Sequence, residues 1–133
     1  MLMYLLRRMR LTGWIELDGK PLSLEEIKAY IHQDPSVISR FGGEFYLECG
    51  PWAARDYYGI IPGPCEPAAI TYNGEVVGSV HPLCPEESLH DAICTAVRLR
   101  SDCGITALSG GVDSALVAAL ARRPCLVVGL DGS

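Results

Sequence analysis

Ile105-Thr106-Ala107-Leu108-Ser109-Gly110-Gly111-Val112-Asp113-Ser114-Ala115-Leu116-Val117-Ala118-Ala119-Leu120 sets the pattern for the rest of the chain. It opens with a short apolar run, which predicts a buried strand. A turn of small residues follows, and then an Ala/Leu-rich segment that reaches Arg122-Arg123 and stops at Pro124, as a helix would. A second apolar run spans Cys125 to Leu130. Strand, glycine loop, helix and strand make one βαβ unit, which needs about 30 residues.

The loop's residue types point to phosphate. Gly110 and Gly111 carry no Cβ, so the backbone can turn sharply and a ligand can come close. The helix that follows presents unpaired N–H groups and the positive end of its dipole, which suits an anion. Ser109 and Ser114 add hydroxyl donors. Asp113 would repel phosphate alone, but it fits a Mg²⁺ ion shared between carboxylate and phosphate oxygens. The hexapeptide is neither a Gly-Lys-Ser/Thr phosphate loop nor a G-x-G-x-x-G turn.

Ser109-Gly110-Gly111-Val112-Asp113-Ser114 resembles the pyrophosphate loop (PP-loop) of the N-type ATP pyrophosphatases, which split ATP between its α and β phosphates. GMP synthetase, NAD synthetase, argininosuccinate synthetase and tRNA lysidine synthetase share that loop. Two flanking features single out the asparagine synthetase family. Ala54-Arg55-Asp56-Tyr57-Tyr58-Gly59-Ile60-Ile61-Pro62 is similar to a segment of its glutaminase half. The helix expected over Leu89 to Ser101, leading through Asp102 into the loop strand, is similar to the one before its PP-loop.

That resemblance implies a fold and a reaction. The fold class expected is α+β to α/β. A small antiparallel β/α region would precede the first βαβ unit of a parallel PP-loop sheet, like that of the adenine nucleotide α-hydrolases. Residues 1–8 are read as an N-terminal extension, with Met9 as a second candidate start. Residues 9–82 read as a shortened glutaminase-like region, and 83–133 as the start of an incomplete ATP-binding domain, with the boundary in 82–86. The reaction implied is ATP-dependent amide formation. A carboxylate such as that of aspartate is adenylated with release of pyrophosphate, and ammonia then displaces AMP. ATP and Mg²⁺ would be held by Leu108, Ser109, Gly110, Gly111, Val112, Asp113, Ser114 and Val128, with Asp113 on the metal. Leu108 and Val128 resemble apolar positions beside the nucleotide, and Asp131, Gly132 and Ser133 fall at the ligand end of the second strand.

The chain also departs from the family. Its glutaminase nucleophile is a cysteine four residues before a glycine on the first strand. Here Gly13 is the counterpart and Met9 stands where the cysteine would be. A thioether cannot act as a thiolate nucleophile, so no glutamine hydrolysis is expected. Free ammonia, or ammonia from another protein, would supply the nitrogen. Arg55 and Asp56 are read as a buried or half-buried structural pair.

Composition bounds the rest. An apolar content of 49% with 20% charged residues describes a globular chain. A net charge of −5 with only two lysines, Lys20 and Lys28, argues against a nucleic-acid partner. The apolar core of Met1 to Arg8 is too short to span a bilayer. Six cysteines, at 49, 65, 84, 94, 103 and 125, form no C-x-x-C pair, as befits thiols in a reducing cytoplasm.

Local patterning predicts strands over 10–17, 44–48 and 52–56. A helix capped by Ser23 with Glu26 in a capping box should follow the first, ending at Pro35, with a helical turn over 36–40. A hairpin should turn at Asn73-Gly74. A further helix should start at Glu86-Glu87 and bury Leu89, Ile93, Ala96, Val97 and Leu99. Two other readings stand beside the ligase: a truncated non-catalytic module that binds nucleotide or assembles, with a homodimer completing its open sheet edges, and another PP-loop ATP pyrophosphatase.

Overall fold

Among the described residues strand β1 (Met9–Leu17) is the longest of eight, and the first unit's sheet is built around it. The structure is a computed structural model that describes residues 9–82, 88–101 and 103–127. The chain divides into two units, Met1–Cys84 and Pro85–Ser133.

In the first unit β1 turns at Asp18-Gly19, where φ is 52° and 75°, into the two-residue β2 (Lys20–Pro21). Helix α1 (Leu24–Gln33) starts at the expected capping box. Ser23 Oγ accepts from Glu26 N at 3.3 Å, and Ser23 N donates to Glu26 Oε2 at 2.8 Å. A 3-10 turn over Pro35–Arg40 leads to β3 (Gly42–Cys49), then β4 (Trp52–Arg55), β5 (Ala69–Tyr72) and β6 (Glu75–Ser79). These strands form one antiparallel sheet in the order β2-β1-β3-β4-β5-β6. Asn73 and Gly74 link the last two with φ of 51° and 85°, as a type I′ turn requires.

Alternation along β3 separates two faces. Phe45, Leu47 and Cys49 join Ile15 of β1 and Ile70 of β5 in a buried core with Ile27 and Ile31 of α1. Each such side chain stabilises the fold by about 1.5–3 kcal/mol. The opposite face carries Arg10, Glu48, Ala53 and Thr71 in one cross-strand row, and Thr12, Tyr46 and Arg55 in the next. β1 and β3 approach closely at Gly13, where φ is +86° and an added Cβ would run into the Glu44 carbonyl oxygen.

In the second unit α2 (Leu89–Arg100) is capped by Ser88, whose Oγ accepts from Asp91 N at 3.2 Å. β7 (Thr106–Ala107), α3 (Val112–Ala121) and β8 (Cys125–Leu126) follow. β7 and β8 pair in parallel, Thr106 with Cys125 and Ala107 with Leu126. Arg122, in the left-handed region at φ 51°, ends α3 by donating its N–H to Ala118 O at 3.1 Å.

The expected fold class is corrected by this arrangement. Most of the strand content lies in one six-stranded antiparallel sheet, and the parallel component is a separate pair of two-residue strands. Among the described residues there is no parallel PP-loop α/β sheet. The physical reason is that local order does not fix sheet size. Short turns join antiparallel neighbours directly, whereas a parallel sheet grows only by further crossovers. The burial expected around the glycine loop is corrected as well. Ile105 precedes β7 at 64% exposure, Leu89 is 77% exposed, and neither α2 nor α3 holds a buried residue. Residues 86–87, at the expected start of α2, lie outside the described residues. Among the described residues no helix is long and apolar enough to cross a membrane.

Candidate functional site

The loop between β7 and α3 carries the site residues read from the sequence. Leu108 continues the parallel ladder by donating its N–H to Leu126 O at 2.9 Å, which anchors the loop's first end. Gly110 then turns at φ +87°, with open space where a Cβ would stand. Gly111 is the N-cap of α3, and no side chain caps the helix through it. Its carbonyl accepts from Ala115 N at 3.1 Å and begins the helical ladder. Val112, the first helical residue, is 82% exposed, and Asp113 lies exposed in the first turn.

The two serines close the loop. Ser114 Oγ accepts from Ser109 N at 3.3 Å and from Ser109 Oγ at 3.0 Å, and it donates to the Gly111 carbonyl at 3.0 Å. One hydroxyl thus joins both ends of the hexapeptide. The structure brings Ser109, Gly110, Gly111, Asp113 and Ser114 to one exposed turn at a helix N-terminus, a place that suits an anion. Val128, Asp131, Gly132, Ser133 and Asp102 lie outside the described residues. Were Mg²⁺ carried here by a nucleotide, Asp113 would be the carboxylate of the turn able to share it, with phosphate oxygens completing a hard shell. Among the described residues no group of three His, Cys, Asp or Glu could hold a metal by itself.

In the first unit Met9 opens β1 opposite Cys49 and packs against the core. Cys49 is fully buried, and burial pushes its thiol pKa up. Arg55 and Asp56 organise a loop. Arg55 donates from Nε to Ile61 O at 2.7 Å, from Nη1 to Cys65 O at 3.0 Å and from Nη2 to Gly59 O at 2.8 Å. Asp56, 1% exposed, accepts from Ile60 N at 2.9 Å and from Ile61 N at 3.0 Å.

The sequence reading missed a cleft of about 500 Å³ on the polar face of the antiparallel sheet, lined by Tyr46, Glu48, Cys65, Thr71 and Asn73 among others. Its signal was the alternation Glu44, Tyr46, Glu48 against Phe45, Leu47, Cys49, which puts three polar groups on one face of the strand.

No protein-family model, curated protein or solved structure matches this chain.

Proposed function

We propose that the chain takes part in ATP-dependent amide formation of the asparagine synthetase type, and that Ser109 to Ser114 hold the pyrophosphate of Mg·ATP. The observation that supports this reading is the closed loop itself. Gly110 at positive φ, the serine bridge across the turn and Asp113 in the first helical turn place hydroxyls, amides and one carboxylate together. The reading rests on that loop and its sequence, not on a parallel sheet. Leu108 and Val128 would flank the nucleotide, aspartate or a similar acid would be adenylated, and ammonia would be the nitrogen donor. Met9 stands where the family's nucleophile would be, so no glutamine hydrolysis is proposed. A cytoplasmic location would suit both the free thiols and ATP.

Asp113→Ala tests the reading through Mg·ATP affinity, measured by calorimetry. A fall of at least about tenfold, equivalent to about 1.4 kcal/mol, is expected. Unchanged affinity removes the metal role from Asp113 and leaves the second reading, a non-catalytic assembly module. One observation favours that alternative: α3 and the two-residue strands expose Leu116, Val117 and Leu126, and open strand edges invite pairing between copies of the chain.

A further inference from the structure

The cleft on the first unit's sheet has a definite charge. Tyr46 and Glu48 of β3 and Thr71 of β5 stand on the same sheet face, and Asn73, Pro64 and Cys65 continue the lining. The volume of about 500 Å³ is in the range of small-molecule sites. The Tyr46 hydroxyl donates to Glu48 Oε1 at 2.9 Å. Burial, and then the bond to Glu48, push the Tyr46 pKa up to about 12, so the phenol stays a neutral donor. Burial likewise pushes the Cys65 thiol up and keeps it neutral. Glu48 brings the one carboxyl side chain of the lining.

Its carboxylate is oriented by the Tyr46 hydroxyl, with the Arg10 side chain opposite on β1. Glu48 forms no ion pair among the described residues, and Oε2 is left without a protein partner there. Arg10, opposite Glu48 on β1, stands outside the lining. Thr71 Oγ1 donates to Ala53 O at 3.4 Å, which leaves its lone pairs able to accept. A fixed carboxylate, a hydroxyl oxygen and the Asn73 amide offer acceptors, while Ala53 and Pro64 offer apolar surface.

We propose that this cleft binds a small primary ammonium compound, whose charged head meets Glu48 and whose short apolar body lies along Ala53 and Pro64. An ammonium group brings three donors and no acceptor, which matches an acceptor-rich lining. A carboxylate ligand would meet Glu48 with like charge. The inference is independent of the phosphate loop, which lies in the other unit.

Titration of the whole chain with n-butylammonium, butyramide and butyrate, followed by NMR shifts, tests it. Saturable binding of n-butylammonium is expected, with butyramide and butyrate at least about tenfold weaker. Glu48→Gln should weaken n-butylammonium by at least about tenfold while its circular dichroism matches that of the parent. Equal binding of the amide, no saturable binding of the ammonium, or a folded Glu48→Gln chain of unchanged affinity each overturns the proposal. If Glu48→Gln fails to fold, the ranking of the three ligands on the parent chain decides.

Discussion

The first unit spends its apolar residues inward, and the second shows them outward. Ile15, Phe45 and Leu47 are fully buried between the antiparallel sheet and α1, while no residue of α2 or α3 is buried. The more suggestive motif lies in the second unit, and the better-supported scaffold in the first. Chemical signal and structural signal are thus carried by different parts of the chain. A loop can keep a ligand-shaped turn through a handful of local hydrogen bonds, whereas a core needs many residues from distant positions.

The largest expected difference between the units is in amide exchange. The Phe45 and Leu47 amides should exchange at least about a hundredfold more slowly than that of Ala118, because opening a packed strand disrupts a core that α3 lacks. Equal protection would break the comparison. Next comes Gly13→Ala, which forces a side chain against the Glu44 carbonyl at a positive φ. A loss of about 3 kcal/mol in urea unfolding of the first unit is expected, and a loss below about 1 kcal/mol would show that β1 and β3 part easily. Asp56→Asn is subtler. It keeps one acceptor and turns an NH₂ toward an amide N–H, which should cost about 2 kcal/mol in the same measurement. The companion change Asp113→Ala should leave unfolding unaltered, since its exposed carboxylate serves no core.

What could be read from the sequence was local. Ser23 with Glu26, and Asn73 with Gly74, specify their geometry within four residues, so the cap and the hairpin turn stand where the pattern puts them. The pairing of β1 with β3 joins Met9 to Cys49 across 39 intervening residues, with no short signal for it. Periodicity showed which side of a segment is apolar but not whether anything covers it, which is why Leu89 and Ile105 were expected inside and are exposed. Arg55 and Asp56, expected as a buried or half-buried structural pair, are that, and the coordinates add how they divide the work, one gathering carbonyls and the other amides. The loop serines were picked out for phosphate, but their bridge through Ser114 needed coordinates, because a hydroxyl's partner depends on the turn between them. The cleft escaped notice since its lining comes from three strands and three of the connections between them.

The way Arg55 and Asp56 hold the segment from Gly59 to Cys65 has a consequence for variation. They grip main-chain oxygens and nitrogens, which every residue supplies, rather than particular side chains. Substitutions at Ile60 or Cys65 that keep the backbone path therefore leave the anchorage intact. Cys65 also borders the cleft whose floor is Tyr46 and Glu48. Selection could retailor that border, and with it the preferred guest, without disturbing the sheet beneath.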